Sequence, residues 1–285
     1  MSQKEKHPHH DFEPSGLPTK RWQQFGDIVK IRWQTLLFMG LILFAFSLPL
    51  LLVIVAKDFR ALSIQQNASD ETARQSQLFL NQAFFGLLYF PAVFLVFFAL
   101  SGLNRIYRNL IWGEGVYFWV DFKIGVKQNL IQYTALSLLL TLAYYLSVVT
   151  AYVVAIPFLF LLPLALLLVF FFPVGLIHME LISVYKNNFF KGIMNAFRLL
   201  THEPLRYYGI YALLLLPLVA LHLLEWPFLA KYIVFAVSFL FYMPFALLAW
   251  ALMNQYAFDK YINHEIHPEL YKKGLNSLES DNHKE

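Results

Sequence analysis

The sequence predicts an all-α, polytopic membrane protein: six transmembrane helices arranged as three hairpins, each preceded by a cytoplasmic amphipathic interfacial helix. Three observations lead there. Of the 285 residues 59% are hydrophobic and only 14% charged, with 29 Phe, 16 Tyr and 6 Trp, more apolar surface than a fold in water could cover. The charges also fall in clumps: no Asp, Glu, Lys or Arg occurs in 33–56, 75–104, 128–179, 207–224 or 232–258. Finally, the cations alternate in density between successive clumps, as loops on opposite sides of a bilayer do.

A bilayer core of ~30 Å takes ~20 helical residues. Four of the charge-free gaps therefore hold one helix each, and the longest, 128–179, holds two. The expected spans are 34–56, 78–103, 130–152, 157–182, 207–224 and 232–257, inside a membrane domain of 20–263. The tails, 1–19 and 264–285, are polar and expected to be cytoplasmic, with disorder over Met1–Thr19 and from about Lys272 onward.

In chain order, the first element is an amphipathic stretch in which Trp22, Phe25, Val29 and Trp33 line one side and Gln23, Gln24, Asp27 and Lys30 the other. The first span follows. Its apolar run begins near residue 34 and lacks a small-x-small exit, so it is expected to stay as a signal anchor. An outer loop, Lys57–Gln77, carries Asn67-Ala68-Ser69, a glycosylation-type triplet that also arises by chance. The second span contains Pro91.

The second amphipathic stretch repeats the first spacing with Trp119, Phe122, Val126 and Leu130, opposite Asp121, Lys123, Lys127 and Gln128. The next two spans meet at a turn placed within Tyr152–Pro157, since Pro157 cannot donate a backbone hydrogen bond. In the third stretch Phe190, Ile193, Met194, Phe197 and Leu200 face away from Lys191, Asn195, Arg198 and His202. Such helices lay an apolar face in lipid or protein and a basic face toward anionic headgroups. A shift of 75 residues superposes Phe122-Lys123 on Phe197-Arg198 and Tyr133 on Tyr208, so the hairpins read as an internal repeat. The prolines Pro91, Pro173 and Pro244 mark helix kinks in the three outgoing spans; kinked helices can line a cavity, although prolines also occur in spans without one.

Only Lys57, Arg60, Arg74 and Lys231 of the 22 cations fall on the side opposite the termini, which places both termini in the cytoplasm. The pI of about 9.0 then reflects attraction to anionic inner-leaflet lipids, and no motif points to nucleic acid. The expected partner is the lipid bilayer itself, with a transporter or sensor complex as a protein partner. Arg105, Arg108, Lys123, Lys127, Lys191 and Arg198 are the candidate docking or lipid patch, though cations there also serve plain topology control.

Candidate polar sites within the membrane are His178 and Glu180 at the inner end of the fourth span, and His222 and Glu225, at i and i+3, at the outer end of the fifth. All four also lie close enough to an interface to snorkel into water. No zinc helix, nucleophile elbow, phosphate loop or acidic metal motif occurs, and the chain has no cysteine, so no catalytic residue, metal or cofactor is expected. His7, His9 and His10 read as part of a solvated tail.

The Ser47-Leu48-Pro49 step, the stretch Gly102-Leu103-Asn104-Arg105-Ile106-Tyr107-Arg108, then Gly113-Glu114-Gly115 and Asp121-Phe122 through Asn129 together resemble the YesL family of bacterial integral membrane proteins. The resemblance covers residues 20–150 and implies a bacterial plasma-membrane location. It further implies a non-enzymatic accessory or scaffold role linked to carbohydrate uptake or use; the alternative is the transmembrane subunit of a small-molecule (sugar) transporter.

Overall fold

The computed structural model describes residues 18–68, 70–153, 161–185, 188–223 and 228–276. Among these residues the chain is helical, with no strand, and five stretches are long and apolar enough to cross a membrane: Arg21–Asn67, Glu71–Ile111, Phe118–Thr150, Leu162–Val184 and Ala230–Asn263. The expected turn at Pro157, the residues Lys186 and Asn187, Ser69 of the glycosylation-type triplet, His7, His9 and His10, Glu225 and the side chain of His222 lie outside the described residues.

The helices are α1 (Arg21–Asn67), α2 (Glu71–Ile111), α3 (Phe118–Val153), α4 (Leu161–Leu166), α5 (Phe172–Val184), α6 (Phe189–His202), α7 (Pro204–Leu223), α8 (Phe228–Val237) and α9 (Met243–Phe258). In place of the long outer loop expected over Lys57–Gln77, α1 and α2 extend past the apolar runs, leaving three residues between them. The extensions are rich in Ala, Leu, Gln and Arg, which favour helix in water as well as in lipid. Asp70 caps α2 by accepting from the Ala73 N–H at 2.6 Å.

The three amphipathic lead segments are built in three different ways. In α1 the break is one residue: Arg32 leaves the helical region (φ −117°, ψ 20°) and the helix resumes. In α3 nothing separates the lead from the span. Phe122 instead sits over Gly102 of α2, and Gly125 lies so close to the Ser101 and Gly102 carbonyls that a Cβ would crowd them, so α2 covers part of the apolar face of the lead segment. Only α6 is a separate helix. It ends at Glu203 (φ −130°, ψ 51°), the residue before Pro204, where the proline ring disfavours a helical conformation.

Two of the three kink prolines are handled alike. A π-helical turn, Leu167–Phe171, precedes α5, and another, Ser238–Tyr242, precedes α9. The residue just past each turn, Phe172 or Met243, bonds five residues back, to Leu167 or Ser238, so the helix is widened where Pro173 and Pro244 would otherwise clash. Pro91 sits inside α2 without such a turn.

α2 packs along both α1 and α3; α5 closes on α2 and α3, and α9 on α1 and α7. One core joins α1, α2, α3, α5 and α9 around Leu36, Met39, Leu103, Ile106 and Tyr133. The other joins α5, α6, α7 and α9 around Ile177, Leu199, Tyr207 and Trp250. The long helices alternate in direction. At one end Asn81 bonds the Lys57 carbonyl at 3.1 Å and Tyr232 bonds Asp58 at 2.9 Å; the opposite end gathers the first residues of α1, the last of α2 and the chain beyond α9.

Candidate functional site

The end that holds the start of α1 carries a polar network tying residues far apart in sequence. Arg21 and Asp259 form a buried ion pair at 2.7 Å, with Arg21 Nε adding a second bond at 3.2 Å to the same oxygen. Arg21 Nη1 donates to Gln24 Oε1 and to the Lys273 carbonyl, each at 3.0 Å. The other Asp259 oxygen accepts from Asn263 at 2.9 Å and from the Lys272 N–H at 3.0 Å. Gln24 Nε2 donates to the Ile111 and Gly274 carbonyls. Gly274 has φ +83°, and a Cβ there would overlap the Ile111 carbonyl, so glycine is required for that approach. Lys273 completes the seam, bonding Glu114 at 2.6 Å and lying 4.1 Å from the Trp112 ring centroid.

The C-terminal segment is thereby folded through Asn276, correcting the expectation of disorder over Lys272–Asn276; the remainder of that tail lies outside the described residues. Its polar composition misled because these groups are satisfied by distant partners, not by water. Asp259 is the first acid after the last charge-free run, a local signal, but nothing in sequence links it to Arg21, 238 positions away.

A cleft of about 880 Å³ opens beside this network. Its floor is one stripe of α9, Ala249, Leu252, Met253 and Tyr256, at the i, i+3, i+4, i+7 spacing of a single helix face. Trp22 and Phe25 of α1 form one wall, and Arg206 and Ile210 of α7 the other. Lys20, Lys260, His264, Tyr271 and Lys272 border the rim. Trp22 is 72% exposed. Glu203 holds two of the cations, Lys260 at 2.6 Å and Arg206 at 3.2 Å, and accepts from the Tyr261 hydroxyl at 2.8 Å. The Lys260 hydrogen bond, with help from Tyr261 and Arg206, holds the Glu203 carboxyl below its ordinary pKa of 4.5.

The six cations of the expected patch divide into two kinds. Arg105 turns onto Asp121 at 3.4 Å and Gln128 at 3.0 Å, and Arg108 donates to the Ser183 carbonyl at 2.8 Å while stacking on Trp112. These two arginines pin α2 to α3 and α5. Lys123, Lys127, Lys191 and Arg198 are exposed.

His178 and Glu180 are both buried but, two residues apart on α5, they point to nearly opposite faces and form no joint site. The His178 ring meets Phe189 edge-on at 5.0 Å and presses against Gly192, and neither ring nitrogen makes a hydrogen bond of good geometry. Glu180 faces inward within electrostatic reach of Tyr107, Tyr133 and Tyr207, whose hydroxyls are engaged by Pro244, by Met179 and Asn104, and by Asn254. Among the described residues no group of three or more His, Asp or Glu could hold a metal ion.

No family model, no curated protein and no solved structure matches the chain.

Proposed function

We propose that this chain is a non-enzymatic accessory or scaffold protein of the bacterial plasma membrane, crossing it six times as three hairpins with both termini in the cytoplasm. The six spans are the apolar parts of α1, α2, α3, α4–α5, α7 and α8–α9. Five of these regions are long, apolar helical stretches, and α7 adds a helix of 20 residues, about 30 Å long. The observation that carries the accessory reading is the division of the cations at the termini-bearing end. Arg105 and Arg108 are consumed in holding helices together, while Lys123, Lys127, Lys191 and Arg198 are exposed and make no ion pair among the described residues. Cations held out in this way suit anionic headgroups or an acidic partner. The link to carbohydrate uptake or use rests on the resemblance of residues 20–150 alone.

The test replaces Lys123, Lys127, Lys191 and Arg198 with Gln and leaves the two arginines in place. We expect a correctly inserted protein that loses its partner on co-purification from native membranes, with the wild-type association weakening as salt rises. Unchanged recovery of the same partner would refute the docking role.

A transport subunit is the second reading, supported by the π turns before Pro173 and Pro244, since such turns recur at functional sites, and by the inward-facing Glu180. Glu180→Gln keeps the shape and removes the charge. Under the transport reading it abolishes uptake by the complex; under the accessory reading uptake is unchanged.

A further inference from the structure

We infer that the cleft between α1, α7 and α9 is a binding site for one anionic phospholipid of the inner leaflet, its phosphate held at the cationic rim and its acyl chains laid on the α9 stripe. The inference deepens the membrane reading above and depends on it.

The cleft is amphipathic in the way a phospholipid is. Its floor and walls are apolar over Ala249, Leu252, Met253, Phe25 and Ile210, and its charges lie together at the terminal end. A volume of about 880 Å³ falls within the range of ~300–1,000 Å³ for small-molecule sites, enough for a headgroup and glycerol backbone with the chains continuing into the bilayer. An exposed Trp22 at the mouth matches the preference of Trp for the headgroup level.

Charge complementarity selects the anionic lipid. The lining brings Lys20, Arg21, Arg206, Lys260 and Lys272 to one cleft. Asp259 neutralises Arg21 within the buried pair, and the single carboxylate of Glu203 serves both Arg206 and Lys260. Among the described residues Lys20 and Lys272 have no acidic partner, although Lys272 Nζ lies 5.2 Å from the Tyr271 ring centroid. The rim therefore keeps an excess of positive charge that a phosphodiester would balance, and the hydroxyl of Tyr256, already bonded to Arg206 at 2.6 Å, marks where that phosphate enters. A zwitterionic lipid brings its own ammonium to the same rim and gains less.

The experiment uses the full-length protein in detergent and native mass spectrometry with phosphatidylglycerol and phosphatidylcholine of identical chains. We expect phosphatidylglycerol to be retained at least tenfold better. Lys20→Gln with Lys272→Gln should weaken it about 25-fold, near fivefold for each cation lost at a membrane surface. Ala249→Phe, which fills the floor and leaves the rim intact, should reduce retention of both lipids, and each variant is required to keep the wild-type melting temperature. Equal retention of the two lipids, or no effect of the double substitution, would overturn the site. Glycerol 3-phosphate, which has the headgroup chemistry without chains, should compete at least 100-fold less well than the lipid; equal competition would make this a soluble-phosphate site and overturn the assignment. Lipid binding that occurs only after deletion of residues 1–17 would make the chain's own N-terminal segment the occupant, with the same result. Resistance to carbonate extraction is scored separately. A chain that resists extraction but shows no lipid preference loses the site alone, whereas a chain that is extracted loses the membrane reading beneath it.

Discussion

Asp259 accepts hydrogen bonds from Arg21, Asn263 and the Lys272 N–H, so one carboxylate links the start of α1 to the C-terminal segment, beside the bonds from Arg21 and Gln24 to the Lys273 and Gly274 carbonyls. Removing one member of a buried ion pair leaves the other charge uncompensated, at a cost of ~3–5 kcal/mol. Arg21→Met should therefore lower the unfolding midpoint and expose the Lys272–Lys273 bond to trypsin, which the wild-type fold protects; equal cleavage rates in the two proteins would contradict the role assigned to the pair. Glu203 predicts a pH effect of definite sign. Its pKa is lower in the folded protein than its ordinary 4.5, so the stability it lends is complete above that value and is lost as pH falls through the folded pKa. The wild-type melting temperature in detergent should fall below pH 4.5, and Glu203→Gln should flatten that decline. The neighbouring Arg206 and Lys260 remain charged throughout and do not reverse the sign.

At the scale of elements, the π turn before α9 matters because it touches α1. The Leu240 carbonyl within that turn lies against Gly40, where a Cβ would overlap it and also crowd Pro244. A glycine that receives a carbonyl in this way is a packing requirement, not a weak point in the helix. Gly40→Ala should cost ~1–3 kcal/mol, the usual penalty for overpacking, read as a lower melting temperature. Gly26 in the same helix has nothing within 4 Å of its Cβ position. Gly26→Ala should be neutral or stabilising by ~0.5–1 kcal/mol, from the helix propensity of Ala. Similar losses from both substitutions would show that the α1–π turn contact contributes nothing.

For the whole molecule, the alternation of helix direction puts Ala68 at one end and Asn276, bonded to the Pro18 carbonyl, at the other. The lack of native cysteine makes single-cysteine labelling clean. With both termini cytoplasmic, a membrane-impermeant thiol reagent on intact cells should label Ala68→Cys and leave Ser277→Cys unmodified. The reverse pattern would invert the orientation and move the cleft to the outer leaflet.

The membrane class, the positions of the apolar helices and the cation asymmetry are properties of composition and short-range order, and the sequence alone determines them. A charge-free run long enough to span a bilayer has few other physical solutions. The proline positions were equally legible, but their consequence was not: whether a helix widens into a π turn, as before Pro173 and Pro244, or continues, as at Pro91, depends on what packs beside it. The lead segments show the same limit, since equal periodicity produced a one-residue break at Arg32, an uninterrupted α3 and a separate α6. Hydrophobic period reports which face is buried and is silent on what buries it. Arg105 and Arg108 read as surface cations because no local pattern announces Asp121 or the Ser183 carbonyl as their partners. The Arg21–Asp259 pair, the docked Lys272–Asn276 segment and the cleft on α9 were decided only in three dimensions, because each joins side chains from opposite ends of the chain, and sequence separation carries no information about which polar groups will satisfy one another once water is excluded.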